Sequence, residues 1–324
     1  MEYLMNVSIG TPAIQNFLVV PDTGSAHLWV PDTSCKEKLF SDCRRKRTFD
    51  SSLSQTYRKD GRPWSIFYAD GSNANGHLGI DTFNLGDEEF GTGTNHLLLK
   101  DLPFGQATSV HGFANDPADG IFGLSFTTFD NGIKSPMVHA VDQNILDEPI
   151  FTGLREGAPG GSITFGGFDS NNCEEIIDYE PLTTTTYWQF AIKGIAAGDY
   201  STDAHFEAIS DTGTSFIGGP QNLITRIAEA VDAQYDYSND LHTIDCNAKA
   251  SPISITIGNN IYKITPENYI VEIEPNECVF GFFSVSLSGG YGPTWILGNP
   301  FIREYCQVHD IRGKRIGFAP SKRI

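Results

Sequence analysis

The chain is poor in positive charge and has no long apolar stretch. Its 324 residues carry 22 Lys and Arg against 40 Asp and Glu, a net charge of −18. Nucleic acid is therefore excluded as the partner, because phosphate contacts need clustered cations. No apolar run approaches the roughly 20 residues that cross a bilayer, so no membrane span is expected. The start, Met1-Glu2-Tyr3, has neither a basic region nor an apolar signal region. The eight histidines show no ligand spacing and the cysteines form no Cys-x-x-Cys pair, so neither a metal nor any other cofactor is expected. No low-complexity segment is present.

What is abundant is aromatic residues and glycine, with 22 Phe, 12 Tyr and 33 Gly. That composition suits β-strands joined by tight turns, and the length suits two domains. The acidic balance fits an acidic compartment, where protonated surface carboxylates repel one another less. Charge alone fits any soluble acidic protein equally well.

Six cysteines, an even number, read as three pairs. Cys35 and Cys43 bracket a short charged loop, Cys246 and Cys278 close a longer one, and Cys173 and Cys306 remain for each other. Disulfides imply an oxidising, secretory setting, and hence a chain trimmed from a longer precursor. The alternative is six separate buried thiols.

Short alternating segments dominate. Tyr3–Ile9, Asn16–Val20, Ser65–Tyr68, His77–Leu85, Ser162–Phe165, Trp188–Ile195, Ile253–Ile257 and Arg315–Phe318 read as strands. Gly10-Thr11-Pro12, Asp70-Gly71, Gly160-Gly161 and Gly258-Asn259-Asn260 read as turns. Helices are few. Ser135-Pro136 signals one N-terminus. Leu223, Ile224, Ile227, Ala228 and Val231 form the apolar stripe of a second helix beginning near Pro220.

One motif occurs twice. Phe17-Leu-Val-Val-Pro-Asp22-Thr23-Gly24-Ser25 is answered by Phe206-Glu-Ala-Ile-Ser-Asp211-Thr212-Gly213-Thr214. Each is an extended run ending in Asp-Thr-Gly, near the start of one half of the chain. Each is followed by an apolar-apolar-Gly step, Ile121-Phe122-Gly123 and Ile296-Leu297-Gly298, where glycine suits close approach of another backbone. Two β-rich lobes are expected, 1–168 and 169–324, linked at Gly166-Gly167-Phe168-Asp169, each presenting one aspartate. Two carboxylates in matching settings suggest a pair that shares one proton, and so an acid hydrolase.

These residues resemble the pepsin-like aspartic endopeptidases over essentially the whole chain. The match rests on Asp22-Thr-Gly-Ser with Leu28-Trp29-Val30-Pro31, on Asp211-Thr-Gly-Thr-Ser, and on the flap-like Tyr68-Ala69-Asp70-Gly71-Ser72. Asp119-Gly-Ile-Phe-Gly-Leu124 and Trp295-Ile-Leu-Gly-Asn-Pro-Phe-Ile-Arg303 complete it. The Cys173–Cys306 pair, Tyr187-Trp188-Gln189 and the Ser210–Gly218 stretch look closest to nematode pepsins. The resemblance implies an all-β-dominated bilobal fold, two pseudo-twofold-related lobes with a few short helices. It also implies an acid endopeptidase that cuts between hydrophobic residues. Asp22 and Asp211 would be catalytic, with the loops Thr23, Gly24, Ser25 and Thr212, Gly213, Thr214 supporting them. Tyr68, Ala69, Asp70, Trp29, Ile121 and Phe122 would form flap and substrate wall. Protein or peptide substrates and pepstatin-like inhibitors are the implied partners, a secreted or lysosomal location follows, and a monomer is expected because both halves lie on one chain. The alternative is a non-catalytic pepsin-like peptide-binding protein.

The chain also departs from that pattern. Pro21 stands before the first aspartate, awkward inside a strand. Ala26-His27 replaces a usual Ser-Asn pair, and His27 reads as an uninvolved surface residue. Asn299 stands where Asp is common. Gly112 and Ala118 occupy positions of bulkier wall residues, which implies a roomier pocket. Compared with the family, the chain opens without an inhibitory prosegment or the first residues of the N-terminal strand. Arg44-Arg45-Lys46-Arg47 reads as a solvated loop, with a cleavage or anionic-ligand site as the alternative, and Asn6-Val7-Ser8 as a glycosylation sequon left unused inside a strand.

Overall fold

The computed structural model describes residues 3–12, 15–85, 97–126, 133–153, 161–285 and 293–322. Among the described residues it is a β-dominated structure with four short helices, α1 (Pro136–Asp142), α2 (Gln221–Ala230), α3 (Pro266–Tyr269) and α4 (Asn299–Glu304). Contacts divide it into two compact units, Glu2–Ile145 and Leu146–Ile324. The division falls before the expected link at 166–169. The reason is a sheet pairing: Ile150–Gly153 runs antiparallel to Tyr305–Asp310, which fastens this segment to the second unit.

In the first unit seven strands form one sheet: β1 (Met5–Ile9), β2 (Gln15–Asp22), β3 (Leu28–Pro31), β4 (Arg58–Phe67), β5 (Asn73–Leu85), β6 (Leu97–His111) and β7 (Gly120–Gly123). Their spatial order is β1-β2-β7-β3-β6-β5-β4, and an added β1–β5 pairing closes six of them into a ring. Closure removes most free edges. The core between these strands holds Trp29, Trp64, Leu78, Val110, Phe113 and Ile121 with the Cys35–Cys43 disulfide.

The second unit holds sheets of five, eight and four strands. Ile253–Ile257 shows the period-two logic plainly, its three isoleucines buried and its Ser and Thr half-exposed. Helix α2 buries Ile224, Ile227 and Ala228 as its stripe requires. Ser135 stands at the N-cap of α1 with Pro136 following, although its hydroxyl makes no capping hydrogen bond. Each expected strand overlaps an observed one, while Gly160 lies outside the described residues. The three disulfides join the expected partners, Cys35–Cys43, Cys173–Cys306 and Cys246–Cys278.

Two readings need correction. Lys46 is buried, not solvated, and its ammonium donates to the carbonyls of Asp116 (2.5 Å) and Ala118 (2.6 Å). Pro21 is not a defect in β2. The β1 ladder stops at Val19, so Pro21 lies past its end, opposite Phe122 on β7.

Candidate active site

Asp22 closes β2, which runs parallel to β7 with Asp22 opposite Gly123; β3 then returns antiparallel to β7. The second unit repeats this arrangement. Phe206–Ser210, ending beside Asp211, runs parallel to Trp295–Leu297, and Ile217–Gly219 returns antiparallel to it. In each case the tight turn between outgoing and returning strands carries the Asp-Thr-Gly.

The hydrogen bonding also matches. The amide of Gly24 donates to Asp22 Oδ1 (2.8 Å) and the hydroxyl of Ser25 to Oδ2 (2.5 Å). The amide of Gly213 donates to Asp211 Oδ1 (2.9 Å) and the hydroxyl of Thr214 to Oδ2 (2.6 Å). Both aspartates are buried, and so are Thr23 and Thr212 beside them. Each aspartate thus has its Oδ1 held by a backbone N–H and its Oδ2 by a hydroxyl.

The step behind each loop must be glycine. A Cβ on Gly123 would lie 2.4 Å from the carbonyl carbon of Ala26 and 2.5 Å from His27 N. One on Gly298 would lie 2.1 Å from the carbonyl oxygen of Phe216 and 2.3 Å from that of Thr214. In the space so kept, Leu124 N reaches Asp22 O (2.7 Å) and Asn299 N reaches Thr214 O (3.0 Å). Asn299 therefore acts here through its backbone, at the start of α4. Asp119, the first residue of its motif, clamps β2 by accepting from Leu18 N (2.9 Å) and from Arg47 N (2.8 Å).

The flap turn is tied by Tyr68 N to Ser72 O (2.9 Å) and Gly71 N to Tyr68 O (3.0 Å). The indole of Trp29 donates to the Tyr68 hydroxyl (2.7 Å), and Ser25 is a second hydrogen-bond partner of that phenol. The chain Trp29–Tyr68–Ser25–Asp22 thus links flap to carboxylate. Burial first, and then the negative charges of Asp22 and Asp70, push the Tyr68 phenol well above its ordinary value, so it remains protonated. Asp70 is engaged locally, its Oδ1 accepting from Ser72 N (2.9 Å) and Ser72 Oγ (2.6 Å). Ala69 is exposed at the turn.

The wall differs in detail from the sequence reading. Ile121 lies in the cluster beside Trp29, but Phe122 is fully buried and presents no surface to a substrate. Successive strand residues point to opposite faces, and Phe122 takes the inner one. Gly112 leaves no extra room either: a Cβ there would sit 2.5 Å from that of Ser72 on the flap. The missed aromatic is its neighbour Phe113, edge-on to both Trp29 (5.4 Å) and Tyr68 (5.9 Å). Nothing in the local pattern marked it, since it stands alone in a turn after β6.

His27 is buried rather than on the surface. Its Nδ1 accepts from the Trp64 indole at 3.1 Å, and the rings meet edge-on. Among the described residues no group of acidic, Cys or His side chains could hold a metal ion.

Comparison with known proteins gives a family model, eukaryotic aspartyl protease, matching residues 2–321. Aspartic protease 6 of Caenorhabditis elegans is 44% identical over 99% of this chain and 82% of its own length. Aspartic protease 2 of Necator americanus is 42% identical over 99% of this chain and 84% of its own length. Cathepsin E-B of Xenopus laevis is 32% identical over 99% and 79% respectively.

Proposed function

Because the chain belongs to the eukaryotic aspartyl proteases, aspartic-type endopeptidases that hydrolyse peptide bonds, we propose that Asp22 and Asp211 act as one catalytic dyad. The observation that carries this reading is the matched bonding of the two loops, each carboxylate held by a glycine amide and a Ser or Thr hydroxyl. In the reactive form the pair carries one proton between its two carboxyl groups. The charged member takes a proton from a water as that water attacks the scissile carbonyl carbon. The protonated member donates to the carbonyl oxygen, and a tetrahedral diol forms without a covalent enzyme intermediate. Collapse returns a proton to the leaving amine.

The substrate is an extended protein or peptide segment bound as an added strand. The apolar group Trp29, Tyr68, Phe113 and Ile121 supports a preference for a hydrophobic side chain at the cut. Three disulfides support a secretory or lysosomal compartment.

The test is cleavage of a denatured protein between about pH 2.5 and 6, where a carboxylate pair titrates, with and without pepstatin. Asp22→Asn and Asp211→Asn are each expected to lose at least about a thousandfold in kcat while retaining the native unfolding transition. Appreciable turnover in either folded variant, or turnover indifferent to pepstatin, would overturn the dyad.

A further inference from the structure

The loop closed by Cys35 and Cys43 is unlike the rest of this acidic molecule. Between its two short 3-10 turns, Thr33–Glu37 and Asp42–Arg45, Leu39 and Phe40 stand 70% and 82% exposed. Around them Lys36, Lys38, Arg44 and Arg45 are exposed as well. Four other cations of the same unit are paired: Arg47 with Asp119, Arg58 with Asp101, Arg62 with Asp60 and Lys134 with Asp142. Among the described residues no ion pair involves the four at the loop.

The base of this knuckle is firm. Cys35 and Cys43 are fully buried in the core, and the hydroxyl of Ser41 meets both Val110 N (3.0 Å) and Val110 O (3.3 Å). Asp42 is turned inward, accepting from Phe113 N (3.0 Å). Two adjacent apolar side chains are thus exposed on a firm base, flanked along the chain by four exposed cations without an ion pair among the described residues, on a chain of net charge −18.

We propose that this knuckle is a docking patch for an anionic lipid surface. Leu39 and Phe40 enter the boundary between headgroups and acyl chains, while the four cations meet lipid phosphates and carboxylates. The patch projects rather than recedes, which suits insertion into a fluid interface better than capture of a shaped partner. Each cation near such a surface contributes about a fivefold gain in partition. The carboxylates of the protein as a whole oppose approach; nearest are Glu37, Asp42 and Asp32 on the knuckle and Asp116 and Asp119 on the segment packed beneath it.

The experiment is co-sedimentation of the intact protein with phosphatidylcholine vesicles, with and without a quarter phosphatidylserine, at low and high salt. At least tenfold tighter binding to the anionic vesicles is expected, weakened by salt. It should fall at least tenfold both in Leu39→Ser/Phe40→Ser and in Lys36→Gln/Lys38→Gln/Arg44→Gln/Arg45→Gln. Cleavage of a soluble peptide, unchanged in both variants, establishes that they are folded. Equal binding to both vesicle types, or variants that bind as the parent does, would overturn the proposal. A concentration-dependent dimer lost in the apolar variant, without vesicle binding, would assign the patch to a second copy of the chain instead.

Discussion

Trp29 and Tyr68, far apart in sequence, are joined by a 2.7 Å hydrogen bond from indole N–H to phenol oxygen. The same phenol is partnered by Ser25, whose hydroxyl serves Asp22. The flap is therefore secured to the aspartate loop through polar contacts inside an aromatic cluster.

That linkage makes the two aromatics energetically dependent. Tyr68→Phe and Trp29→Phe should each lower kcat/KM about five- to tenfold, the worth of about 1 kcal/mol. In a double-mutant cycle the second change should cost little after the first, giving a coupling of about 1 kcal/mol. Simple additivity in kcat/KM would show that the bond has no part in turnover.

Gly298→Ala should be far costlier than an ordinary surface change. Its Cβ would meet the carbonyl oxygens of Phe216 and Thr214 at 2.1 and 2.3 Å, and both belong to backbone that cannot swing aside. Loss of about 3 kcal/mol is expected in urea unfolding, with weaker activity through displacement of the Asp211 loop. A change below about 0.5 kcal/mol, the scale of neutral surface substitutions, would contradict the packing.

His309 should limit stability in acid. It is fully buried, stacked on Phe151 at 4.3 Å and edge-on to Trp188 at 4.7 Å. Burial lowers its pKa to about 3, against backbone carbonyls of Phe151 and Gln307 that favour the cation. The folded value lies below the unfolded one, near 6.5. As pH falls from about 6.5 towards 3 the unfolded chain takes up the proton first, so stability drops by about 1.4 kcal/mol per unit and then levels off. His309→Phe should remove this slope, gaining about 4 kcal/mol on the parent between pH 6.5 and 3.5. Parallel stability curves for the two proteins would show that His309 is charged at modest acidity.

The disulfides should rank by the loop each closes. Sequence separations are 133, 32 and 8 for Cys173–Cys306, Cys246–Cys278 and Cys35–Cys43. Chain-entropy reasoning puts the losses on replacement by serine pairs at about 5, 4 and 2.5 kcal/mol. Denaturation of the three variants checks the order, and a smallest loss for Cys173–Cys306 would reverse it.

The sequence alone determined the all-β class, the three cysteine pairs and the repeated Asp-Thr-Gly with its distant apolar-apolar-Gly partner. Those features are local or periodic: alternation, turn residues, and a short motif whose types are demanded by a tight turn and a close backbone contact. It also placed Tyr68 and Trp29 together, through the motif they share with the family. Other facts depend on what each side chain meets across the fold, and only tertiary structure decided them. His27 carries a polar ring yet is buried because Trp64 on β4 meets it edge-on and donates to it. Phe122, adjacent to a wall residue, takes the inner face of its strand. Phe113, a lone aromatic in a turn, completes the cluster around the flap because the turn after β6 brings its ring edge-on to Trp29 and Tyr68. Lys46 sits within a run of cations but is drawn inward by the carbonyls of a loop some seventy residues on. Periodicity records which residues share a face of one element; it does not record what another element will bring against that face.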